Sequence, residues 1–305
     1  MSAQDQPAES LGPTPAGRGF RGGAGGRSPG SRSIEPRTAA GSAGLSALLK
    51  DPGRAVVALD FDGTLAPIVA DPALARIHPD APAALARLAP RLAAVVVVTG
   101  RPAEVAAELG GFAGIRNLSV LGHYGLDRWD AATGEHRTPP EHPGITALRA
   151  DLAAMDLPAG AHLEDKGHAL AVHTRRSSDP AAVLAALDGP LRALAAAHGL
   201  AVEPGRMVLE LRPAGMDKGV ALTAFLRERD AASVLFAGDD LGDIAAYDAV
   251  DALRAAGLPG VLVCSAPATG EPPVAALAER ADLVVAGPDG VVGLLAALAA
   301  ELEQG

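Results

Sequence analysis

Asp60 and Asp62 form a pair of carboxylates that directly follows the apolar run Ala55–Leu59. A continuously apolar run of this length is typical of a strand that is buried on both faces of a parallel sheet. Ligands of such sheets bind beyond the carboxyl ends of the strands, so both side chains are predicted to face a crevice. Gly63 follows and allows the chain to turn. The pair therefore suits one metal ion and one reaction centre.

A plainer interpretation of Asp60 and Asp62 is that they are solvated turn residues, because Asp and Gly are common in turns. A calcium loop of the EF-hand type is excluded. Such a loop follows a helix, has glycine at its sixth position and ends in Glu. Here Gly63 is at the fourth position and a strand-like run precedes it. The turn interpretation has to be weighed against the other polar residues of the chain.

Further polar residues follow two later apolar runs, and a lysine begins a predicted helix. Thr99 follows Val95–Val98, Lys218 begins a helical pattern, and an acidic cluster follows Val234–Ala237. The cluster consists of Asp239, Asp240 and Asp243. Taken singly, a lysine is usually a solvated charge and Thr-Gly is usually a turn. If the strands are neighbours, however, the carboxylates meet and repel each other unless a divalent cation and a lysine neutralise them.

Phosphoryl transfer through an aspartyl phosphate needs all of these parts. Asp60 would attack phosphorus and form a covalent intermediate. Asp62 would protonate the leaving oxygen and then deprotonate the water that cleaves the acyl phosphate. Thr99, Gly100 and Lys218 would hold the phosphoryl oxygens by hydrogen bonds and charge.

Mg²⁺ is the predicted cofactor, because carboxylate and carbonyl oxygens in this number are hard ligands. Asp60, Asp239 and the backbone carbonyl of Asp62 are the predicted ligands. Asp240 and Asp243 are predicted to bind the metal or to support its ligands. The hypothesis thus gives every member of the acidic cluster a role.

Composition narrows the class of protein. The chain has 305 residues, a formal net charge of −10 and a single cysteine, Cys264. The negative charge argues against a nucleic-acid partner, and one cysteine excludes an internal disulfide. No signal peptide and no run of 18 apolar residues are evident. We therefore expect a cytoplasmic protein without a membrane partner, acting as a monomer on a small molecule.

Three regions follow from hydrophobic periodicity. Residues 1–45 lack an apolar face and are predicted to be disordered. Residues 46–141 and 213–305 alternate between strand and helix patterns, which predicts an α/β core with a doubly wound parallel sheet. Residues 142–212 follow a helix, hairpin, helix, hairpin order, which predicts an inserted α+β domain with an antiparallel sheet.

Four ordered motifs resemble those of the haloacid dehalogenase superfamily. They are Asp60-Phe61-Asp62-Gly63-Thr64, Thr99-Gly100-Arg101, Lys218-Gly219 and Gly238-Asp239-Asp240 with Asp243. The resemblance spans residues 55–300 approximately. In that superfamily an insert between the second and third motifs covers the active site, and residues 142–212 fall there. We call this insert the cap.

Within the superfamily the chain resembles the trehalose-6-phosphate phosphatase family. The resemblance rests on Glu164-Asp165-Lys166, His173-Thr174-Arg175 and Glu210-Leu211-Arg212-Pro213. It implies that Glu164, Lys166, Arg175 and Glu210 contact the sugar from the cap. Carboxylates and a lysine can hydrogen-bond to paired sugar hydroxyls.

The motifs also depart from the family pattern in two places. Gly242 and Ile244 stand where many relatives have Thr and Glu in the fourth motif. Tyr124 stands where many have His directly before the glycine that matches Gly125, and His123 lies one residue earlier. His123 is retained as a predicted substrate-binding residue.

Three functions remain open from the sequence. The resemblance favours hydrolysis of trehalose 6-phosphate to trehalose and phosphate. Phosphatases of sucrose phosphate or mannosyl-phosphoglycerate have similar caps. A receiver-like signalling domain also combines an aspartate nucleophile with acidic residues, a Thr and a Lys. A receiver, however, needs a long-lived phospho-aspartate, and so has no use for Asp62 as a general acid or for a cap of about 70 residues.

Overall fold

The structure is a computed structural model that describes residues 34–69, 74–205, 207–267 and 272–304. The strands are β1 (Ala55–Leu59), β2 (Ala94–Val98), β3 (Leu118–Gly122), β4 (Asp127–Asp130), β5 (His136–Arg137), β6 (His162–Asp165), β7 (Leu170–His173), β8 (Leu200–Gly205), β9 (Val208–Pro213), β10 (Ser233–Gly238), β11 (Gly260–Ala266) and β12 (Leu283–Ala286). The helices are α1 (Ala39–Lys50), α2 (Ala81–Leu88), α3 (Ala103–Gly110), α4 (Pro143–Ala153), α5 (Pro180–Ala197), α6 (Lys218–Glu228), α7 (Ile244–Ala255), α8 (Ala275–Ala278) and α9 (Gly287–Gln304).

The larger sheet has the strand order β12-β11-β10-β1-β2-β3-β4-β5. Strands β12 to β3 in this order are all parallel, whereas β4 and β5 pair antiparallel at one edge. β1 lies between β10 and β2, so the ends of these three strands are adjacent. The predicted α/β fold with a parallel core sheet is confirmed.

Alternate residues of the central strands enter two separate hydrophobic layers, as the period of a strand requires. Val57 and Leu59 pack with α1, α2, α3 and α9 on one face. Val56 and Ala58 pack with α6, α7 and α8 on the other. All five residues of β1 are buried, which explains its continuously apolar sequence.

The cap sheet has the order β6-β7-β9-β8, and every neighbouring pair is antiparallel. Its two faces differ in chemistry. Leu170 and Leu211, a cross-strand pair, pack with residues of α4 and α5 in the cap's own hydrophobic layer. Residues at the alternate positions, such as Glu164 and Glu210, belong to the opposite face, because neighbouring residues of a strand point to opposite sides. This polar face of the cap sheet thus carries Glu164 and Glu210, two of the residues predicted to contact the sugar.

Helix α5 is long and apolar enough to cross a membrane, judged by length and composition alone, with a mean hydropathy of 1.2. Core helices of soluble proteins meet the same criterion. In the structure Leu187, Leu191 and Ala195 of this helix are buried, and Leu187 and Leu191 lie in the layer beneath the cap sheet. Packing against the sheet therefore explains the apolar stripe.

The prediction that residues 1–45 are disordered is wrong for their described part. Thr38 caps α1, because its hydroxyl oxygen accepts a hydrogen bond from the Gly41 amide at 2.9 Å. Leu45 is buried, and a Cβ on Gly44 would lie 2.0 Å from the Gly260 carbonyl oxygen. The helix docks through close backbone approach at small residues, which a search for large apolar residues overlooks. Residues 1–33 lie outside the described residues.

Candidate active site

The ends of β1, β2 and β10 carry the predicted chemistry. Asp60, Thr99 and Asp239 directly follow these three adjacent parallel strands. Lys218 is the first residue of α6, and its neighbour Asp217 caps that helix by accepting a hydrogen bond from the Val220 amide. The parallel sheet and one helix start therefore bring residues far apart in sequence to one edge, as expected for ligand sites of open α/β sheets.

Lys218 joins two carboxylates at this edge. Its Nζ donates to Asp60 Oδ1 at 2.6 Å and to Asp243 Oδ1 at 2.8 Å. The exposed fraction of each of these three side chains is 6% or less. Burial opposes the charge of Lys218, but Asp243 and Asp60 raise its pKa above the ordinary value. Lys218 is therefore a fixed positive charge beside the predicted nucleophile.

Asp243 also organises the loop after β10. Its Oδ2 accepts hydrogen bonds from the Asp239 amide at 2.8 Å and from the Asp240 amide at 3.1 Å. Asp240 is exposed and caps the following helical turn through the Gly242 amide. Asp243 thus supports both Lys218 and the backbone that carries Asp239, while Asp240 shapes the loop.

The donor set fits a divalent cation. Carboxylate oxygens of Asp60, Asp239 and Asp243 lie within 4.8 Å of one another. Burial raises the pKa of Asp60 well above its ordinary value, against the opposing charge of Lys218. Burial and repulsion from Asp60 and Asp243 raise the pKa of Asp239 to about 10. One lysine does not offset three buried carboxylates, and a metal ion at this position would supply the missing positive charge.

Gly63 lets the loop after β1 approach Asp239. Its φ angle is +79°, and a Cβ at this position would lie 2.0 Å from Asp239 Oδ2. Both the left-handed backbone and the close approach require glycine here. Thr64, also buried, places its hydroxyl 3.4 Å from Asp239 Oδ1.

Asp62 is held by Arg101, which was named above only as the last residue of the second motif. Arg101 donates from Nε to Asp62 Oδ2 and from Nη2 to Asp62 Oδ1, each at 2.7 Å. The Asp62 side chain is 40% exposed, so it faces the crevice. This two-pronged contact fixes the orientation of the carboxylate. The position of Arg101 directly after Thr99-Gly100 was the available signal.

Thr99 and Gly100 lie under a tyrosine. Thr99 is buried, and its Oγ1 accepts a hydrogen bond from the Arg101 amide at 3.1 Å. A Cβ on Gly100 would lie 2.7 Å from the hydroxyl of Tyr124. The Tyr124 amide also donates to the Thr99 carbonyl at 2.9 Å. The predicted phosphate-binding loop is therefore packed against Tyr124, which the sequence analysis treated only as a departure from the family pattern.

Two ion pairs lie on the polar face of the cap sheet. Lys166 Nζ donates to Glu210 Oε2 at 2.5 Å, and His173 Nε2 lies 2.7 Å from Glu164 Oε2. The hydrogen bond with His173 lowers the pKa of Glu164. The charge of Glu164 also acts on Arg101 of the core. The structure thus brings three of the predicted sugar-binding residues together, on the side of the cap that faces the core.

Arg212 and Tyr124 connect the cap to the core beside Glu210. The Arg212 guanidinium lies over the Tyr124 ring, 3.9 Å from its centroid. Burial and the nearby Glu210 carboxylate raise the pKa of Tyr124. Among the described residues, buried Glu210 Oε1 and Arg212 Nη1 find no hydrogen-bond partner. Unpartnered charged atoms at a closed interface indicate a place for a polar ligand.

Two further predicted residues, His123 and Arg175, are not part of this group. His123 uses both ring nitrogens inside the protein, on Asp127 and on the Lys166 carbonyl, so its contact with the sugar stays a prediction without support from this geometry. Arg175 is exposed in the turn after β7. It makes no hydrogen bond or ion pair in the part of the chain that the structure describes. Its predicted role therefore has no geometric support in this arrangement.

Solved structures define the class of fold. The C-terminal domain of a trehalose-6-phosphate phosphatase from C. albicans aligns with a TM-score of 0.68 and 20% identity, covering 88% of this chain and 99% of that one. A haloacid dehalogenase-like hydrolase from Bacteroides thetaiotaomicron aligns with a TM-score of 0.54 and 16% identity, covering 79% and 97%. The fold is that of the haloacid dehalogenase-like hydrolases.

Sequence comparison is more specific. The trehalose-phosphatase family model matches residues 58–279. A probable trehalose-phosphate phosphatase of Sinorhizobium fredii is 34% identical over 213 residues, which is 68% of this chain and 78% of that protein. The trehalose-phosphate phosphatase of Mycolicibacterium paratuberculosis is 34% identical over 218 residues, 67% of this chain but 53% of that protein. The chain belongs to the trehalose-phosphatase family, and it spans about half the length of this mycobacterial relative.

Proposed function

We propose that the chain is a Mg²⁺-dependent phosphatase that hydrolyses trehalose 6-phosphate to trehalose and phosphate. The observation that carries the proposal is the buried Asp60–Lys218–Asp243 chain at the sheet edge, beneath a cap face that presents Lys166 and Glu210. The names of the relatives support the choice of substrate.

In the first step, an Asp60 carboxylate oxygen attacks phosphorus in line. The bond between phosphorus and the sugar oxygen breaks, and Asp62 donates a proton to that oxygen, which leaves as trehalose. In the second step, Asp62 takes a proton from water as the water oxygen attacks phosphorus. The acyl phosphate bond breaks, releasing phosphate and restoring the Asp60 carboxylate. Arg101 keeps Asp62 aligned for both transfers.

The charge on the transferred group is met by fixed donors. Lys218 lies beside Asp60, and the hydroxyl of Thr99 and the backbone of Gly100 follow the adjacent strand. These groups are held before substrate arrives, so little reorganisation is needed. Asp60, Asp239 and the Asp62 carbonyl would hold Mg²⁺, with Asp243 beside them. When bound, the ion neutralises charge on the carboxylates and the phosphoryl oxygens.

The cap supplies specificity in this proposal. The polar face of the cap sheet closes over the reaction centre. There the unpartnered Glu210 Oε1 accepts a hydrogen bond from a sugar hydroxyl, and the unpartnered Arg212 Nη1 donates one to a sugar hydroxyl. A disaccharide long enough to fill this space would satisfy both. Cap closure also excludes water from the acyl phosphate until the sugar has left. A monomeric, cytoplasmic state remains part of the proposal.

Phosphate release from a panel of substrates tests the function. The panel contains trehalose 6-phosphate, sucrose 6-phosphate, mannosyl-phosphoglycerate and an aryl phosphate, each assayed with Mg²⁺ and with a chelator. We expect the highest kcat/KM on trehalose 6-phosphate and no turnover with the chelator. A preference for another sugar phosphate would show that the chain is a phosphatase with a different substrate. A stable phosphoprotein without turnover would instead indicate a receiver-like function.

A further inference from the structure

His123 lies at the contact between the core and the cap and bonds to both. Its Nδ1 is 2.9 Å from Asp127 Oδ1 in the core, and its Nε2 is 2.6 Å from the backbone carbonyl oxygen of Lys166 in the cap. The His123 and Asp127 side chains are 3% and 2% exposed. These bonds are therefore shielded from water, and each is worth more than it would be at the surface.

Both partners of the His123 ring are acceptors. A backbone carbonyl carries no proton. Burial opposes ionisation of Asp127, but hydrogen bonds from His123 and from the Ala103 amide bring its pKa below the ordinary value. A neutral imidazole has a single N–H and can donate only one of the two bonds, whereas an imidazolium donates both. Both contacts are hydrogen bonds only if the ring carries a proton on each nitrogen.

The titratable groups that surround the His123 ring are those expected if this ring carries the one extra proton of the cluster. His136 of β5 lies 3.1 Å from Asp127 Oδ2 and 3.3 Å from Glu104 of α3, so it shares the negative charge of the core side. On the cap side, His168 meets the His123 ring edge-on, with centroids 5.3 Å apart.

His168 is the other ring that could compete for the proton. Burial, and then the neighbouring His123, lower the pKa of His168, against the opposing charges of Asp127 and Glu141. Its Nε2 lies 2.8 Å from the Thr138 hydroxyl, and its Nδ1 is buried without a partner among the described residues. A neutral His168 beside a charged His123 accounts for these contacts.

The bonded carbonyl belongs to a residue with a role in the site. Lys166 pairs with Glu210, and the turn between β6 and β7 begins at Lys166. The backbone of His123 and Tyr124 is left-handed, with φ angles of 45° and 58°. This uncommon conformation points His123 toward the Lys166 carbonyl and Tyr124 toward Arg212 and Gly100. Two neighbouring core residues thus meet two cap residues that flank the predicted sugar position.

We propose that His123 is a positioning residue whose protonated ring fastens the cap hairpin to the core and so places the Lys166–Glu210 pair over the substrate. This proposal rests on the proposed function for its substrate and adds a dependence of substrate recognition on one proton. Phosphoryl transfer at Asp60 does not use His123 directly. The effect should therefore be largest for a substrate that reaches the cap.

Two substitutions separate the two bonds of the ring. In His123→Gln the side-chain amide nitrogen stands near the position of ring Nε2, and it can donate to the Lys166 carbonyl without titrating. In His123→Asn the shorter amide reaches only toward Asp127. Asn also tolerates left-handed backbone, so the Asn variant keeps the local conformation. Both variants carry a side-chain amide, and they differ in how far that amide extends from the backbone.

For His123→Asn we expect KM for trehalose 6-phosphate to rise about tenfold to a hundredfold, the effect of losing one charge-assisted hydrogen bond. The loss on an aryl phosphate should be much smaller. His123→Gln should keep most of the wild-type activity on the disaccharide, because its amide can still donate to the Lys166 carbonyl.

His198→Gln is the matched control, because His198 also faces an aspartate, Asp151, at 2.7 Å, but at the end of a cap helix. Its kinetics on both substrates should equal those of the wild type. Equal losses of His123→Asn on both substrates would show a merely structural residue and overturn the proposal. So would a loss in His123→Gln as large as that in His123→Asn.

A direct measurement separates this proposal from the proposed function. The ring of His123 is observed by ¹⁵N NMR in the full chain at neutral pH without substrate. Two N–H groups on one ring are expected, and a neutral ring would overturn the proposal whatever the substrate is. Two N–H groups together with no release of phosphate from trehalose 6-phosphate would refute the proposed function and leave the proton-dependent fastening of the cap in place.

Discussion

The proposed catalytic edge of the core and the polar face of the cap are both rich in buried charge. They differ in whether the buried charged groups find partners within the protein. In the core, Lys218 donates to two carboxylates and Asp243 also accepts two backbone amides. In the cap, Glu210 and Arg212 are as deeply buried, yet each retains an atom without a partner among the described residues. The core carboxylates are connected through Lys218 and need only a cation's charge, whereas two buried charged atoms of the cap have no protein partner among the described residues.

This difference indicates how chemistry and recognition are divided. Connected charges are held rigidly and are ready to stabilise a transition state. Unpartnered buried atoms destabilise the closed cap until a polar ligand satisfies them. The core should therefore act on any phosphate ester that reaches it, and the cap should select the ester. Substitutions in the two regions should separate these properties.

The largest effect is expected for Asp60→Asn, which removes the proposed nucleophile and keeps the shape of the side chain. Turnover of both trehalose 6-phosphate and an aryl phosphate should fall to background, measured as phosphate release. Circular dichroism and the melting temperature serve as the control for folding. Substantial residual activity on either substrate would contradict the covalent mechanism.

A smaller and selective effect is expected for Glu210→Gln. The loss of a charged partner for the sugar and for Lys166 should lower kcat/KM on trehalose 6-phosphate about tenfold to a hundredfold, or ~1.5–3 kcal/mol. The aryl phosphate should be nearly unaffected, because it does not reach the cap. Steady-state kinetics on both substrates provide the measurement. An equal loss on both would remove the distinction between the two regions.

The charge of the core site predicts stabilisation by Mg²⁺ without any substrate. At a concentration of 100 times the dissociation constant, the ion should raise the free energy of unfolding by about 2.7 kcal/mol, as measured by urea denaturation. Asp239→Asn should abolish most of this gain, while Glu210→Gln should keep it. A gain that survives in Asp239→Asn would place the ion elsewhere.

The smallest effect tests whether α1 is part of the core. Thr38→Ala removes the N-cap of this helix and should lower the free energy of unfolding by about 1 kcal/mol. The kinetics on both substrates should be unchanged. Ser42→Ala, at an exposed position one turn later, is the control and should have little effect. Equal stability of the two variants would mean that the cap of α1 contributes nothing.

The sequence predicted the parts of the fold that depend on periodic apolar residues. The apolar run Ala55–Leu59 matches β1 at both ends, and Val95–Val98 matches β2 except for its first residue. It did not predict β4, whose residues Asp127–Asp130 include two acids and an arginine and lack the alternation of a half-buried strand. Nor did it predict α1, where Ala and Gly replace large apolar residues. Both elements depend on their neighbours more than on local pattern.

The same limit applied to the site. Asp60, Thr99, Lys218 and the acidic cluster were accessible because each follows a strand or begins a helix. Arg101 and Tyr124 were not assigned, although they contact Asp62 and Gly100. Their roles depend on side-chain direction and on backbone with positive φ, neither of which has a spacing signal. His123 was selected from the family resemblance, and its contact with the Lys166 carbonyl was not predicted because the approach of the cap backbone is a tertiary contact.

The central place of β1 in the sheet has a consequence for how the protein responds to thermal fluctuations. Strands at a sheet edge and the cap can open locally at modest cost, whereas β1 is paired on both sides and covered on both faces. Amides of β1 should exchange with solvent only when the whole domain unfolds. Asp60, the proposed nucleophile, lies at its end and is thus among the last parts of the chain to lose its native geometry. Partial opening of the cap can therefore occur without disturbing it.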